Sequence, residues 1–286
     1  MTYLIALSGV LAISFSAVFI RLAAVSPVTG AFFRAAYAVP MLALVWLALR
    51  KGDRRDRGAR LLAFASGIVL AMDLALWHES IALIGVGLAT VIANVQVVFV
   101  ALAAWLLFDE RPSRATVVII VTVLAGITLT SGLSRAGAYG ENPELGVMFG
   151  AGAGACYSVF LLTFRQATRV RAPTAGPLLD STIGTMFGAL LVSPLDRGFS
   201  LVPAWPAHGW LAALALVSQV LGWLAIATAL PLLPAVETSI LLLMQPVFSV
   251  IWGFAWFGER LSPLQWGGTA LVLGGVVAIG RTRATT

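Results

Sequence analysis

Charge is what this sequence has least of. Only 10% of its 286 residues are Asp, Glu, Lys or Arg, against about 25% in an ordinary soluble domain. Hydrophobic residues make up 60%, more apolar surface than a soluble fold of this length can hide, so the chain is expected in a bilayer. There, backbone polar groups must pair within the protein. The single cysteine, Cys156, excludes an intrachain disulfide, a cysteine zinc cluster and a redox pair. The two histidines, His78 and His208, fall on separate segments, and His78-Glu79 lacks the second histidine of a zinc-protease motif. No Gly-x4-Gly-Lys-Ser/Thr loop is present, which excludes ATP hydrolysis by this chain. No cofactor, metal or enzymatic activity is therefore expected. The net charge of +6 does not point to nucleic acid, because the basic residues lie in short segments between apolar runs and not in one patch. Lys51 is the only lysine.

What the sequence does have is apolar runs of membrane-crossing length, roughly 17–25 residues each. Breaks at Pro, Gly and Arg divide the chain into ten: 3–24, 28–49, 60–82, 85–108, 114–132, 144–166, 174–193, 208–230, 235–257 and 264–280. Links as short as Ile84-Gly85 and Leu232-Leu233-Pro234 force antiparallel neighbours. The first run has no basic leader and no clear cleavage site, so it is read as a retained helix. With the N-terminus inside, 13 of the 18 basic residues fall in cytoplasmic segments, Arg50 to Arg60 and Arg165 to Arg171 among them. The opposite side holds Arg21, Arg135, Arg197 and Arg260, and Arg34 lies within the second span. This bias places both termini in the cytoplasm.

Residues 96–113 align without gaps to 245–262. Gln96, Val98, Phe99, Phe108, Glu110, Arg111 and Ser113 match Gln245, Val247, Phe248, Phe257, Glu259, Arg260 and Ser262. Gln, Glu and Arg are scarce here, so their coincidence carries the weight. The match sets span four on span nine, giving five-helix halves at 1–139 and 140–286. An odd number of spans inserts the second half upside down. Inverted repeats suit secondary transporters, in which exchange of conformation between halves opens a site to either side in turn.

On these features, ten spans, two halves and Phe-x-Glu-Arg at 108–111 and 257–260, the chain resembles the EamA-type family of the drug/metabolite transporter superfamily over its whole length. The resemblance implies export of amino acids or other small metabolites, with bacterial aromatic amino-acid exporters as the nearest branch. That family often has proline in the middle of spans four and nine. Here Pro246 supplies it in one half and Val97 replaces it in the other, which points to asymmetric helix breaking.

Polar residues deep in a span are functional candidates, because an uncompensated charge there costs at least about 2.5–3.5 kcal/mol. They are Asp73, His78, Glu79, Asn94, Gln96, Tyr157, Asp180, Gln219, Glu237 and Gln245. The repeat-related Gln96 and Gln245 are suited to bind a zwitterion in a central cavity, or else to join helices through an amide bond. Glu237, Leu241, Gln245, Phe248 and Trp252 are spaced to share one face of span nine. Gln219 with Trp223, Phe15 with Phe19, and Tyr157 complete an amphipathic lining suited to amino acids, the alternative being aromatics at the lipid interface. Asp73 and His78 are candidates for proton coupling, although His78 and Glu79 lie near a hydrated end. Gly146, Gly150, Ala153 and Gly154, Gly184 with Gly188, and Gly267 with Gly274 read as packing seams. Glu110-Arg111 and Glu259-Arg260 read as interfacial ion pairs, or as a gate latch.

The expected partners are a small-molecule substrate and membrane lipids, the chain acting as a monomer in the inner membrane. A drug, quaternary-ammonium or nucleotide-sugar carrier is the alternative within transport. Sugar nucleotides call for buried cations, and only Arg34 is placed for that. An intramembrane enzyme would need a nucleophile–base or metal constellation that the spread of His78 and His208 does not offer.

Overall fold

A computed structural model of the chain describes residues 1–130, 143–169, 173–257 and 262–282. Among these the regular structure is entirely helical. Arg135, Arg171, Glu259 and Arg260, which carry part of the repeat and charge pattern, lie outside the described residues.

The helices are α1 Thr2–Ser14, α2 Ser16–Ala23, α3 Pro27–Leu49, α4 Arg57–Ala93, α5 Gln96–Phe108, α6 Arg114–Thr130, α7 Pro143–Thr168, α8 Ala175–Val192, α9 Ala207–Leu214, α10 Trp223–Ala229, α11 Ala235–Leu242, α12 Met244–Phe257 and α13 Pro263–Thr282. A π-helical segment, Ala215–Gly222, joins α9 to α10 without a break. Six stretches are long and apolar enough to cross a membrane: Thr2–Ala23, Pro27–Gly52, Arg57–Ser80, Glu144–Thr168, Ala175–Leu195 and Ala207–Leu232. Gln96–Phe108 and Arg114–Leu129 are shorter apolar helices.

Local chemistry sets the boundaries. Pro27 opens α3 at its first position, where a missing N–H costs nothing, and the Asp196 carboxylate accepts the Val28 N–H at 3.0 Å. Ala24 (φ 51°) and Asp109 (φ 54°) end α2 and α5 in the left-handed conformation. Helix α4 runs through the expected link at Ile84-Gly85. The chain nevertheless reverses nearby. A methyl group on Gly150 would lie 2.9 Å from Ser80 Oγ and 3.0 Å from Ile92 Cγ2, whereas twelve residues of straight helix separate two side chains by about 18 Å.

The helix breaks fall at repeat-related positions. α4 gives way to α5 at Asn94-Val95, and α11 to α12 at Leu243, the counterpart of Asn94 when the offset of the internal alignment is carried two residues back. Pro246 has no N–H to offer the Leu242 carbonyl, which accounts for the second break. The first occurs without proline. There the backbone tightens, with Val95 N bonded to Ile92 O at 3.0 Å and Val98 N to Val95 O at 2.8 Å. Breaking is therefore not asymmetric, as Val97 had suggested.

Two compact bodies emerge, residues 1–75 with 159–233 and residues 76–158 with 234–286. Each draws on both halves of the sequence, and the divisions fall inside α4 and α7. In the first body α3 packs along α8, and α1 against α10 and the π segment. A methyl on Gly9 would stand 2.7 Å from the Gly222 carbonyl, and one on Gly184 would collide with the Phe64 carbonyl, so these seams bring backbones into contact. In the second body α6 packs along α13 and α5 along α11. The α13 seam uses Gly268 and Gly275, which face Gly126 and Val123. Gly267 and Gly274, expected to form it, meet no described atom within 4 Å, because they sit one residue, about 100°, round the helix.

Candidate functional site

The first body concentrates charge. Arg55, with its side chain 1% exposed, bonds Asp53 through Nε (2.9 Å) and Nη2 (2.8 Å) and Asp180 through Nη1 (2.8 Å). Trp46 Nε1 donates to the same Asp53 at 2.7 Å, and Arg60 lies 3.5 Å from Asp180. The Arg55 hydrogen bonds, helped by Trp46 and opposed by burial, hold the Asp53 carboxyl well below its ordinary value. This triad ties the end of α3 and the start of α4 to α8, with no room for a side chain on Gly176 beside it.

A second network occupies the π segment. Gln219, 3% exposed, accepts from Arg34 Nε at 2.7 Å and donates from Nε2 to Thr182 Oγ1 at 3.1 Å. Its neighbour Ser218 donates to the Ala12 carbonyl at 3.1 Å. The wide π turn thus offers adjacent residues to α1, α3 and α8, an irregularity common at functional sites. Trp223, one turn on and 3% exposed, packs edge-on against Phe160 (5.2 Å) and Phe164 (6.0 Å). Its indole nitrogen is buried with no hydrogen-bond acceptor among the described residues. Phe15, at the α1–α2 break, stacks on Phe19, which stacks on Trp210. Tyr37 Oη lies 2.6 Å from His208 Nδ1, with Phe33 edge-on to the imidazole. Asp73 is buried in α4.

In the second body the buried Gln96 pairs with neutral groups. Gln96, 3% exposed, stands at the first position of α5. Its side-chain oxygen accepts from Ser239 Oγ of α11 at 3.2 Å, and its backbone carbonyl accepts from Ser158 Oγ of α7 at 3.1 Å. Gln245 is half-buried in α12, and the Gln96 amide oxygen engages Ser239, not Gln245. The face expected along span nine is cut at Leu243, so Glu237 and Leu241 belong to α11 while Gln245, Phe248 and Trp252 belong to α12. Phe248 and Tyr157 are half-buried, and His78 is half-buried with its ring 5.1 Å from that of Trp77. Gly150 and Gly154 let α7 approach Ser80, Ile92 and the Ala93 carbonyl. Glu110 accepts the Ala235 N–H at 3.1 Å, capping α11 where the helix dipole favours an anion. Arg111 pairs with Asp109 at 3.4 Å on the surface, so these residues make a helix cap and a separate exposed pair.

The structure thus brings Gln219 to Arg34 and Gln96 to Ser239 and Ser158. Residue patterning missed Thr182, Ser158 and Ser239, whose small hydroxyls are unremarkable in an apolar helix. It missed the Arg55 triad because loop charges were read for orientation alone. The half-buried Arg34 was visible as a charge within an apolar run.

Known proteins agree with this architecture. The sequence profile of the EamA-like transporter family matches residues 1–132 and 144–281. The uncharacterized transporter YwfM of Bacillus subtilis (strain 168) is 26% identical over 226 residues, 76% of this chain and 72% of that protein. The threonine/homoserine exporter RhtA of Escherichia coli (strain K12) is 28% identical over 136 residues, 46% of this chain and under half, 43%, of the exporter. A protein of known crystal structure superposes with a TM-score of 0.81, covering 97% of this chain and 96% of its own at 20% identity, which shows a shared fold. The chain belongs to the EamA-like transporter family.

Proposed function

We propose that the protein exports small amphipathic metabolites, aromatic and aliphatic amino acids first among them, across the cytoplasmic membrane by alternating access. The observation that carries this reading is the pair of helix breaks at Asn94-Val95 and Leu243, positions that correspond at the offset of the internal alignment. Discontinuous helices free backbone groups for a substrate at mid-membrane and mark the sites of repeat-built transporters. Gln96 and Gln245 stand just past these breaks and serve as the amide contacts. Phe248, Tyr157, His78, Phe15, Phe19, Gln219 and Trp223 are the further candidates for contact with substrate.

In this reading the chain has ten spans, in two oppositely inserted halves, 1–139 and 140–286, with both termini cytoplasmic, and works as a monomer. Asp73 and His78 are the groups proposed to couple transport to protons. Relationship to a threonine/homoserine exporter favours amino acids over drugs or sugar nucleotides.

Purified protein in liposomes is expected to take up threonine, methionine or tryptophan, and Gln245→Ala to slow uptake with normal insertion. Uptake no faster than in empty vesicles across that panel would remove the amino-acid assignment. An imposed pH gradient that leaves the rate unchanged would remove the proton role of Asp73 and His78.

A further inference from the structure

We propose that the turn at 50–60 is a binding site for the phosphate headgroups of anionic phospholipids in the surrounding leaflet. Two stretches long and apolar enough to cross a membrane, Pro27–Gly52 and Arg57–Ser80, meet there. Six cations, Arg50, Lys51, Arg54, Arg55, Arg57 and Arg60, stand against Asp53, Asp56 and Asp180, an excess of three. The acids are already engaged. Asp53 takes Arg55 and the Trp46 indole, Asp180 takes Arg55 at 2.8 Å with Arg60 at 3.5 Å, and Asp56 Oδ1 accepts the Ala59 N–H at 2.7 Å. Arg50, Lys51, Arg54 and Arg57 are exposed, and their side chains have no ion-pair or hydrogen-bond partner among the described residues.

Apolar surface on either side selects a lipid over a soluble anion. Leu44, Leu47 and Leu49 near the end of α3 and Leu61 at the start of α4 are exposed, so acyl chains cover the leucines while a phosphate lies at the level of the turn. Trp46 stands among those leucines, and tryptophan settles at headgroup depth. Its bond to Asp53 ties the turn to the end of α3. Arg55, locked by Asp53 and Asp180, fixes the chain between Arg54 and Arg57, so these two cations are placed before a lipid arrives. A guanidinium fork matches a phosphate with two hydrogen bonds. A zwitterionic headgroup carries its own cation beside the phosphate and gains less, whereas each Lys or Arg near an anionic surface contributes about fivefold in binding.

The site is independent of what is transported, so it stands or falls apart from the amino-acid reading. The test titrates the purified full chain, in a neutral detergent, with phosphatidylglycerol, with phosphatidylcholine of the same acyl chains and with glycerol 1-phosphate, and follows the rise in melting temperature. Phosphatidylglycerol is expected to half-saturate at a concentration at least about tenfold lower than phosphatidylcholine, with glycerol 1-phosphate inert over the same range. The preference is expected to shrink as salt rises from about 0.05 to about 0.5 M. Arg54→Gln combined with Arg57→Gln is expected to remove most of it, and Arg197→Gln, an exposed cation beyond the other end of α8, to leave it intact. Equal half-saturation by the two lipids, a preference that survives in the double variant, or an equal loss in Arg197→Gln overturns the proposal. Stabilisation by glycerol 1-phosphate equal to that by the lipid assigns the cluster to a soluble anion and overturns it as well. If the double variant does not fold, Arg50→Gln with Lys51→Gln is read in the same way, and a wild-type preference unchanged by salt refutes the site.

Discussion

The two bodies solve the problem of polar groups in lipid differently. Residues 1–75 with 159–233 hold full charges in networks: Arg55 between Asp53 and Asp180, and Arg34 on Gln219, which in turn donates to Thr182. Residues 76–158 with 234–286 use neutral groups at broken helices, with Gln96 bridging Ser239 and Ser158, and glycines that let α7 approach its neighbours. A buried ion pair is costly to disturb, since removing one partner strands the other. A hydroxyl–amide contact exchanges partners at smaller cost. The Arg55 triad is therefore costlier to disturb than the Gln96 contacts.

The contrast is broken most directly at Arg55. Arg55→Ala strips Asp53 of its cation and leaves the buried Asp180 only the more exposed Arg60, and is expected to lower stability by about 3 kcal/mol, read from unfolding in detergent. A loss below about 1 kcal/mol would show that water already carries those charges. The same triad shapes the acid limb. Asp53 sits below its ordinary 3.8 in the folded protein, so its contribution is present above that pH and disappears as pH falls through the lowered folded value. Asp53→Asn should flatten the melting profile there.

Smaller effects sharpen the comparison. Gly184→Ala drives a methyl into the Phe64 carbonyl and should cost about 1–3 kcal/mol. In the second body Ser239→Ala strips the Gln96 oxygen of its donor, for about 1–2 kcal/mol. At the bottom of the scale, Gly267→Ala meets no described atom and should leave melting unchanged or raise stability by up to about 1 kcal/mol. A Gly267→Ala variant less stable than Gly184→Ala would reverse the packing assigned to α13 and α8.

Much of this was legible in the residues. Runs of apolar residues and their punctuation gave helix limits within a few residues, as at Pro27–Leu49 for an expected 28–49 and Ala175–Val192 for 174–193. The Gln-to-Arg correspondence between 96–111 and 245–260 paired these two segments, although Val97 in place of a proline pointed to breaks that differ between them. What stayed hidden depends on partners distant in the chain. Arg55 and Asp180 are 125 residues apart, and nothing in the basic run at 50–60 says which of its members is buried. Helical phase decided Gly268 over Gly267, a one-residue difference that spacing alone does not resolve. The π turn at Ala215–Gly222 has no proline to announce it.

Alternating access by oppositely inserted halves makes one demand that chemistry can read directly. With Cys156 replaced by serine, single cysteines at positions 111 and 260 would be labelled in intact cells by a membrane-impermeant thiol reagent. Position 111 is expected to react only after the membrane is opened and position 260 without opening it. Both positions reacting from the same side would contradict the inverted arrangement, and the transport mechanism with it.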